Sequence, residues 1–404
     1  MPPTERSTYW RSRAEFVVPR STHEVADVIH RFGDELLRSG MVTPARRRVM
    51  RALVACRTPA LGGHVESCDS CDYRRIAYNS CRNRHCPKCQ GSRQAHWLED
   101  RAKDLLPVEY FHVVFTVPAE VGALALQNKS VVYGILFTAS AATLQTIAAD
   151  ERHLGAEIGF SSVLHTWSQD LRHHPHVHCV VPGGGLTPDG RWLACRRGFF
   201  LPVRVLAAMF RSKFVALLRA AFERGELKFQ GELQQLGERA AFAKLLDRLM
   251  DKRWVVYSKP PFGGPVQVLK YLARYTHRVA IGNRRILAID ESGVTFRWRD
   301  RAHGNRARTM KLDGVDFLRR FLLHVLPRGF PRIRHYGLLG NRKRATKLAA
   351  CRLMLGAPMP APEASAPEVL PYADADCRCP ACRTGTLVRR PWSALRAPEL
   401  VDTS

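Results

Sequence analysis

The residues Asp170-Leu-Arg-His-His-Pro-His-Val-His-Cys-Val-Val-Pro-Gly-Gly-Gly185 contain a valine-rich run with Pro175 before it and three glycines after it. That pattern reads as a strand ended by a turn. Successive strand side chains alternate faces, so His176 and His178 point the same way, roughly 7 Å apart along the strand. Two imidazoles so placed can share one metal ion. The bland alternative is a chance pair in a histidine-rich loop, because His173 and His174 are adjacent. Cys179 falls on the opposite strand face and reads as core.

The stretch before it, Ser162-Val-Leu-His-Thr-Trp-Ser-Gln169, reads as the other strand of a hairpin. His165, Trp167 and Gln169 alternate onto one of its faces, which a short turn would bring level with His176 and His178. Gln169 is the first choice for a third ligand, His165 the second and Asp170 the third. Two imidazoles with an amide oxygen make an open site suited to a divalent magnesium or manganese ion, whereas a structural zinc would call for softer donors.

Further along, Lys270-Tyr-Leu-Ala-Arg-Tyr-Thr-His-Arg278 places Tyr271 and Tyr275 four residues apart. On a helix they share a face, with Cβ atoms about 6 Å apart. Arg274 and Arg278 flank that face. Two tyrosines at helical spacing are more often packing than chemistry. With a metal pair in the same chain, however, they make a chemical case. A tyrosine hydroxyl titrates near ~10, so its attack on phosphorus needs assistance. A divalent ion can polarise the scissile phosphate while arginines balance its charge. One phosphodiester is then exchanged for a phosphotyrosine, without ATP or another nucleotide cofactor.

Cys68-x-x-Cys71 and Cys86-x-x-Cys89 are two knuckles at a separation suited to one zinc held by four thiolates. Cys56, His64, Cys81 and His85 lie in the same segment and are candidates for a second zinc. Cys379-Pro-Ala-Cys382 looks like a further knuckle, but only Cys377 and Cys351 lie near it in sequence.

The chain has 404 residues, and 63 Lys+Arg against 36 Asp+Glu give a net charge of +27. Such an excess points to a polyanionic partner, most commonly nucleic acid. Arginines interleaved with Trp298, Phe330 and Tyr336 in the C-terminal half suit single-stranded DNA, where bases stack and phosphates pair. No basic amphipathic anchor or signal peptide is evident, and the apolar stretch 130–147 reads as a buried helix. A cytoplasmic protein is expected. In that compartment clustered cysteines suggest metal and not disulfides.

Helical spacing covers 21–57, 119–150, 203–224, 233–251, 265–276 and 314–325. Strands are expected near 110–117, 158–167, 176–181, 255–257, 284–290 and 293–299. This is an α+β pattern, an antiparallel sheet with helices packed on it, preceded by a helical zinc-ribbon domain.

His176-Val-His178 resembles the histidine–hydrophobic–histidine motif of the HUH endonucleases, and Tyr271-x-x-x-Tyr275 resembles their two-tyrosine subclass. Ser80-Cys-Arg-Asn-Arg-His-Cys-Pro-Lys-Cys-Gln90 is similar to the zinc-binding region of one branch, the two-tyrosine transposases of bacterial insertion sequences of the IS91 type. Phe111-His-Val-Val-Phe-Thr-Val-Pro118, His165-Thr-Trp-Ser-Gln169 and Arg334-His-Tyr-Gly337 also resemble its segments, in consistent order over roughly 25–350. The resemblance implies an HUH-type antiparallel-sheet nuclease domain. It implies cleavage and rejoining of single-stranded DNA at element ends, through a 5′-phosphotyrosine with a free 3′-hydroxyl. Movement would be rolling-circle-like, in a bacterial, nucleoid-associated setting. Alternatives are a rolling-circle replication initiator or relaxase of the same chemistry, and a zinc-ribbon DNA-binding protein without nuclease activity. The expected organisation is a helical, zinc-binding domain over 1–105, the catalytic domain over 106–300, a basic DNA-binding extension over 301–355, and an Ala/Pro-rich linker and tail with a cysteine knuckle over 356–404.

Overall fold

In the computed structural model, residues 21–259, 279–300, 303–357 and 378–391 are described. The N-terminal helical stretch is two helices. α1 (Val25–Arg38) buries Val25, Val28, Ile29, Phe32 and Leu36 on one face, and the Glu24 backbone N–H donates to the Asp27 carboxylate in a capping box. α2 (Pro44–Val54) starts at Thr43-Pro44, with the Thr43 hydroxyl accepting from the Arg46 N–H. A hairpin follows, β1 (Gly63–Cys68) and β2 (Arg74–Tyr78). α3 (Pro87–Ala102) begins at Pro87, whose fixed φ is pre-organised for a first helical turn.

β3 (Tyr110–Thr116) leads into α4 (Ala119–Gln127) and α5 (Lys129–Ala149). Sequence spacing suggested a single helix here. Asn128 interrupts it by turning its side chain to the backbone, donating to the carbonyls of Leu124 and Lys228 and accepting from the Lys228 N–H. α5 is apolar enough to cross a bilayer, but 67% of its most apolar window is buried inside the protein. β4 (Gly159–Trp167) and β5 (His173–Pro182) form the expected hairpin, followed by the small pair β6 (Gly184–Leu186) and β7 (Trp192–Ala194). Then come α6 (Val203–Glu223), α7 (Arg239–Asp251) and β8 (Val255–Lys259). After the undescribed residues 260–278, β9 (Ile286–Asp290), β10 (Gly293–Asp300) and β11 (Arg306–Leu312) form an antiparallel sheet. α8 (Gly314–Leu323), β12 (Ile333–Gly337), α9 (Arg344–Met354) and β13 (Leu387–Pro391) complete the described chain.

The central sheet has the order β12-β4-β5-β3-β8 and is antiparallel throughout. Its back face carries Phe111, Val113, Phe115, Phe160, Leu164, Val177, Cys179 and Val181, all in one core with residues of α5 and α6. Polar alternates, His112, Ser161, His165, His176 and His178, therefore share the front face. Gly337 ends the edge strand at φ 55°. A Cβ there would lie 1.9 Å from the Ile158 carbonyl oxygen, so only glycine lets the two strands close.

A second core joins α1 and α2 to Ala280, Ile281, Val294, Phe296, Phe317 and Phe321. Packing and strand pairing run across the expected boundaries at 105 and 300. β10 pairs with β11 across residue 300, and the 301–355 stretch supplies β12 to the central sheet. The physical reason is the apolar stripe on α1, which needs a partner face and finds it on α8. The tail also returns, since β13 pairs with β1.

Candidate functional site

The β4–β5 register places His165 opposite His176 and Val163 opposite His178. Opposed residues of an antiparallel pair point to the same side, so three imidazoles meet. Their ring centroids are 4.1 Å (His165–His178), 4.8 Å (His176–His178) and 5.3 Å (His165–His176) apart. One nitrogen from each lies within 4.8 Å of the others, and all three side chains are buried. Gln169 behaves differently from the sequence expectation. β4 ends at Trp167 after a register irregularity, so Gln169 lies in the following turn, where its carbonyl accepts from Arg285 at 2.5 Å. The strand alternation was extended one step too far, and His165 is the side chain that the sheet brings to the pair. Asp170 in the same turn is engaged by Arg172 at 3.0 Å and by the Ser168 hydroxyl.

The surroundings of the imidazoles match a metal site. His176 Nδ1 donates to the His174 carbonyl at 2.7 Å, which leaves Nε2 as the lone-pair nitrogen. His178 Nδ1 and His112 Nε2 are 2.7 Å apart, with the two rings parallel to within 4°. Donation from His178 to His112 leaves His178 Nε2 for a ligand. Sequence reasoning missed His112. Its signal was present: it is the one ionisable imidazole in a β3 run, Tyr110–Thr116, that is mostly aromatic and aliphatic. Three nitrogen donors fit a first-row transition ion better than magnesium, which prefers oxygen.

Tyr271, Tyr275, Arg274 and Arg278 lie outside the described residues. The segment that holds them follows β8, in which Tyr257 stands opposite Val114, itself opposite His178.

The cysteines divide differently from the expected Cys68/Cys71/Cys86/Cys89 set. Cys86 and Cys89 group with Cys56 and Cys81, and Cys68 and Cys71 group with Cys379 and Cys382. In the first cluster Sγ atoms are 3.5 Å (Cys56–Cys89) and 3.7 Å (Cys81–Cys89) apart. A tetrahedral zinc with Zn–S near 2.3 Å has S···S edges of about 3.8 Å, so the cluster has the size of a zinc site. Of the four residues offered for a second zinc, only the cysteines join it. His64 faces Glu66 at 3.3 Å. His85 contacts Asn83 Oδ1 at 3.0 Å and accepts from the Leu326 N–H at 3.2 Å, while burial and then Arg84 push its pKa down to about 3. Each imidazole is already committed, and four thiolates close the shell without them.

Neutral histidines and half-buried arginines lie close to the site. His324 contacts the Thr166 hydroxyl at 3.2 Å and donates to the Leu171 carbonyl at 3.0 Å, and burial lowers its pKa to about 3. His173 meets the Tyr133 hydroxyl at 2.7 Å, and burial lowers it likewise to about 3. Arg84 donates to the carbonyls of Phe330 and Pro327, both at 2.6 Å. Arg332 and Arg334 lie over Trp167 (4.9 Å) and Phe137 (4.4 Å). Part of the positive charge is therefore engaged with aromatic rings and backbone carbonyls; Arg328, Arg342 and Lys343 of the same basic run are exposed.

Comparison with known proteins gives a consistent answer. The family described as "Putative transposase" matches residues 159–346, and the "Transposase zinc-binding domain" of the IS91 type matches 28–117. The chain is 56% identical over 378 residues to a protein named putative transposase y4qJ from Sinorhizobium fredii, covering 91% of this chain and 95% of that one. It is 26% identical over 313 residues to the transposase for insertion sequence element IS801 of Pseudomonas savastanoi pv. phaseolicola, covering 76% and 73%. The conjugative relaxase TrwC in its metal-bound complex with oriT DNA aligns at 13% identity and TM-score 0.25, over 42% of this chain and 71% of that one, a likeness too slight to carry weight.

Proposed function

We propose that this chain, which belongs to the insertion-sequence transposases of the IS91 type, cleaves and rejoins single-stranded DNA at element ends through tyrosine nucleophiles. A transposase is a DNA strand-transfer enzyme. The observation that carries it is the convergence of the buried His165, His176 and His178 on the front face of the central antiparallel sheet. His112 and the His174 carbonyl hold two of these rings in the tautomer that presents Nε2.

The three imidazoles would hold a divalent first-row transition ion, which when bound would polarise the scissile phosphate as a Lewis acid. Tyr271 or Tyr275 attacks phosphorus through its hydroxyl oxygen. The bond to the 3′-oxygen breaks, the 3′-oxygen takes up a proton, and the 5′ end remains as a phosphotyrosine. Attack by a 3′-hydroxyl from another strand reverses the exchange and joins the DNA, so no external energy source is consumed. Arg274 and Arg278 balance the charge that accumulates on the phosphate.

The test is incubation of the full chain with single-stranded oligonucleotides and manganese, scoring covalent adduct on denaturing gels. Tyr271→Phe and Tyr275→Phe are each expected to lower adduct yield, and the double variant to abolish it. An undiminished adduct in the double variant would remove the tyrosines from the mechanism.

A further inference from the structure

We propose that Cys68 and Cys71 together with Cys379 and Cys382 form a second zinc site, which the two ends of the chain build jointly and which locks the C-terminal tail to the N-terminal domain. Two of its four donors lie outside the residues matched by the zinc-binding family, and sequence spacing assigned the knuckles to other partners. The inference does not depend on the nuclease chemistry.

The geometry is that of a thiolate tetrahedron. Cys68 and Cys382 Sγ are 3.7 Å apart, and Cys71 and Cys379 Sγ are 3.6 Å apart. These separations exclude disulfides, whose sulfurs lie about 2 Å apart, and match the ~3.8 Å edge of a four-thiolate zinc site. All four sulfurs lie within 4.8 Å of one another. The two knuckles are supported alike. The Ser70 N–H donates to Cys68 Sγ and the Gly385 N–H to Cys382 Sγ, each at 3.3 Å. Such bonds favour a charged thiolate.

The backbone closes tightly around this centre. A Cβ on Gly385 would stand 2.4 Å from Cys68 Sγ and 2.7 Å from Asp69 Oδ1, so the two turns can nest only because residue 385 is glycine. The Thr386 N–H donates to Asp69 Oδ1 at 2.8 Å, and the Asp69 N–H donates to the Thr386 carbonyl at 3.0 Å. β13 then continues the ribbon on β1, with Cys68 opposite Leu387 and Glu66 opposite Arg389. Glu66, buried, receives Arg75 from one neighbouring strand at 2.6 Å and Arg389 from the other at 3.3 Å. The tail is thus the third strand of the zinc ribbon and supplies half of its metal shell.

The experiment counts zinc lost from the purified full chain, relative to wild type. Cys379→Ser/Cys382→Ser is expected to lose one zinc, and Cys68→Ser/Cys71→Ser to lose one. Combining the four substitutions should still remove one, because both pairs hold the same ion. Cys86→Ser/Cys89→Ser should remove a different one. Retention of all zinc by Cys379→Ser/Cys382→Ser, or removal of a single shared ion by the Cys68/Cys71 and Cys86/Cys89 variants, overturns the assignment. A second measurement guards against misfolded variants. A protease site is inserted between Ala357 and Arg378 and cut in the folded wild-type protein. The released C-terminal piece should co-elute with the rest in gel filtration and separate once chelator has stripped the zinc. A piece that separates before chelation, or that stays attached after the zinc has gone, counts against the lock.

Discussion

The histidine cluster and the thiolate clusters, each arranged as a metal ion would require, are assembled by opposite routes. His165, His176 and His178 come from two adjacent strands of one hairpin, and the backbone register alone brings them level. The thiolate centres join distant pieces of chain: Cys56 meets Cys89 across 33 residues, and Cys68 meets Cys382 across 314. A site made by register has its ligands placed once the sheet forms. A site made by loop closure gains its order from the ion as much as from the fold. Losing metal should therefore cost chemistry in the first case and structure in the second.

The largest expected effect tests the structural half of that contrast. Cys56, Cys86 and Cys89 are part of the core that joins α1, α2 and α8. Zinc binding in small zinc domains is worth about 10–16 kcal/mol, comparable with the whole stability of a domain. Cys89→Ser should abolish cooperative thermal unfolding of this core in calorimetry. His178→Ala should leave the transition within a few degrees of wild type; equal damage from both would erase the distinction.

Next comes the choice of third ligand. His165→Ala should lower covalent adduct formation by ~100-fold or more, as expected when a metal loses a direct donor. Gln169→Ala, in the turn, should stay within about threefold. The reverse order of losses would restore Gln169 as the ligand and detach the site from strand register.

A smaller effect is expected one layer out. His112→Ala removes the partner of His178 Nδ1. Manganese affinity, measured by calorimetric titration, should weaken by about 10–100-fold, the range found for residues that orient metal-bound histidines. An unchanged affinity would mean that register alone orients the ring.

The smallest effect concerns His324, which is buried. Burial lowers His324 to about 3, so it stays neutral when folded but takes up a proton when unfolded below its ordinary value of 6.5. The unfolded state binds more protons throughout that window, so stability is full above about 6.5 and declines as pH falls towards 3. Between pH 7 and 6 this group should remove roughly 0.7 kcal/mol. Urea melts of wild type and His324→Gln at the two pH values measure it, and identical pH slopes would show that this histidine is not the titrating group.

The contrast also explains which features could be read without coordinates. Apolar, β-branched runs between turn residues marked β3, β4 and β5, and strand geometry, being local, put His176 and His178 on one face. The same rule does not reach Gln169, because the register shifts between His165 and Trp167 and a turn follows the end of the strand. His112 escaped notice because its role depends on which strand lies beside β5, and β3 reaches that position only through the fold. The Cys-x-x-Cys spacing identified the knuckles as metal-binding units. It gave no information about which knuckle joins which, since that depends on how distant segments pack.

What the sequence determined by itself is therefore the set of local units: the strands and their faces, the histidine pair, the four-residue knuckles, and a charge of +27 suited to DNA. The tertiary structure alone decided the partners. It set His165 level with His176 and His178, grouped Cys86 and Cys89 with Cys56 and Cys81, and brought Cys379 and Cys382 back to Cys68 and Cys71. Residue spacing constrains neighbours along the chain, whereas partners hundreds of residues away are chosen by core burial, strand pairing and closure of the chain on itself.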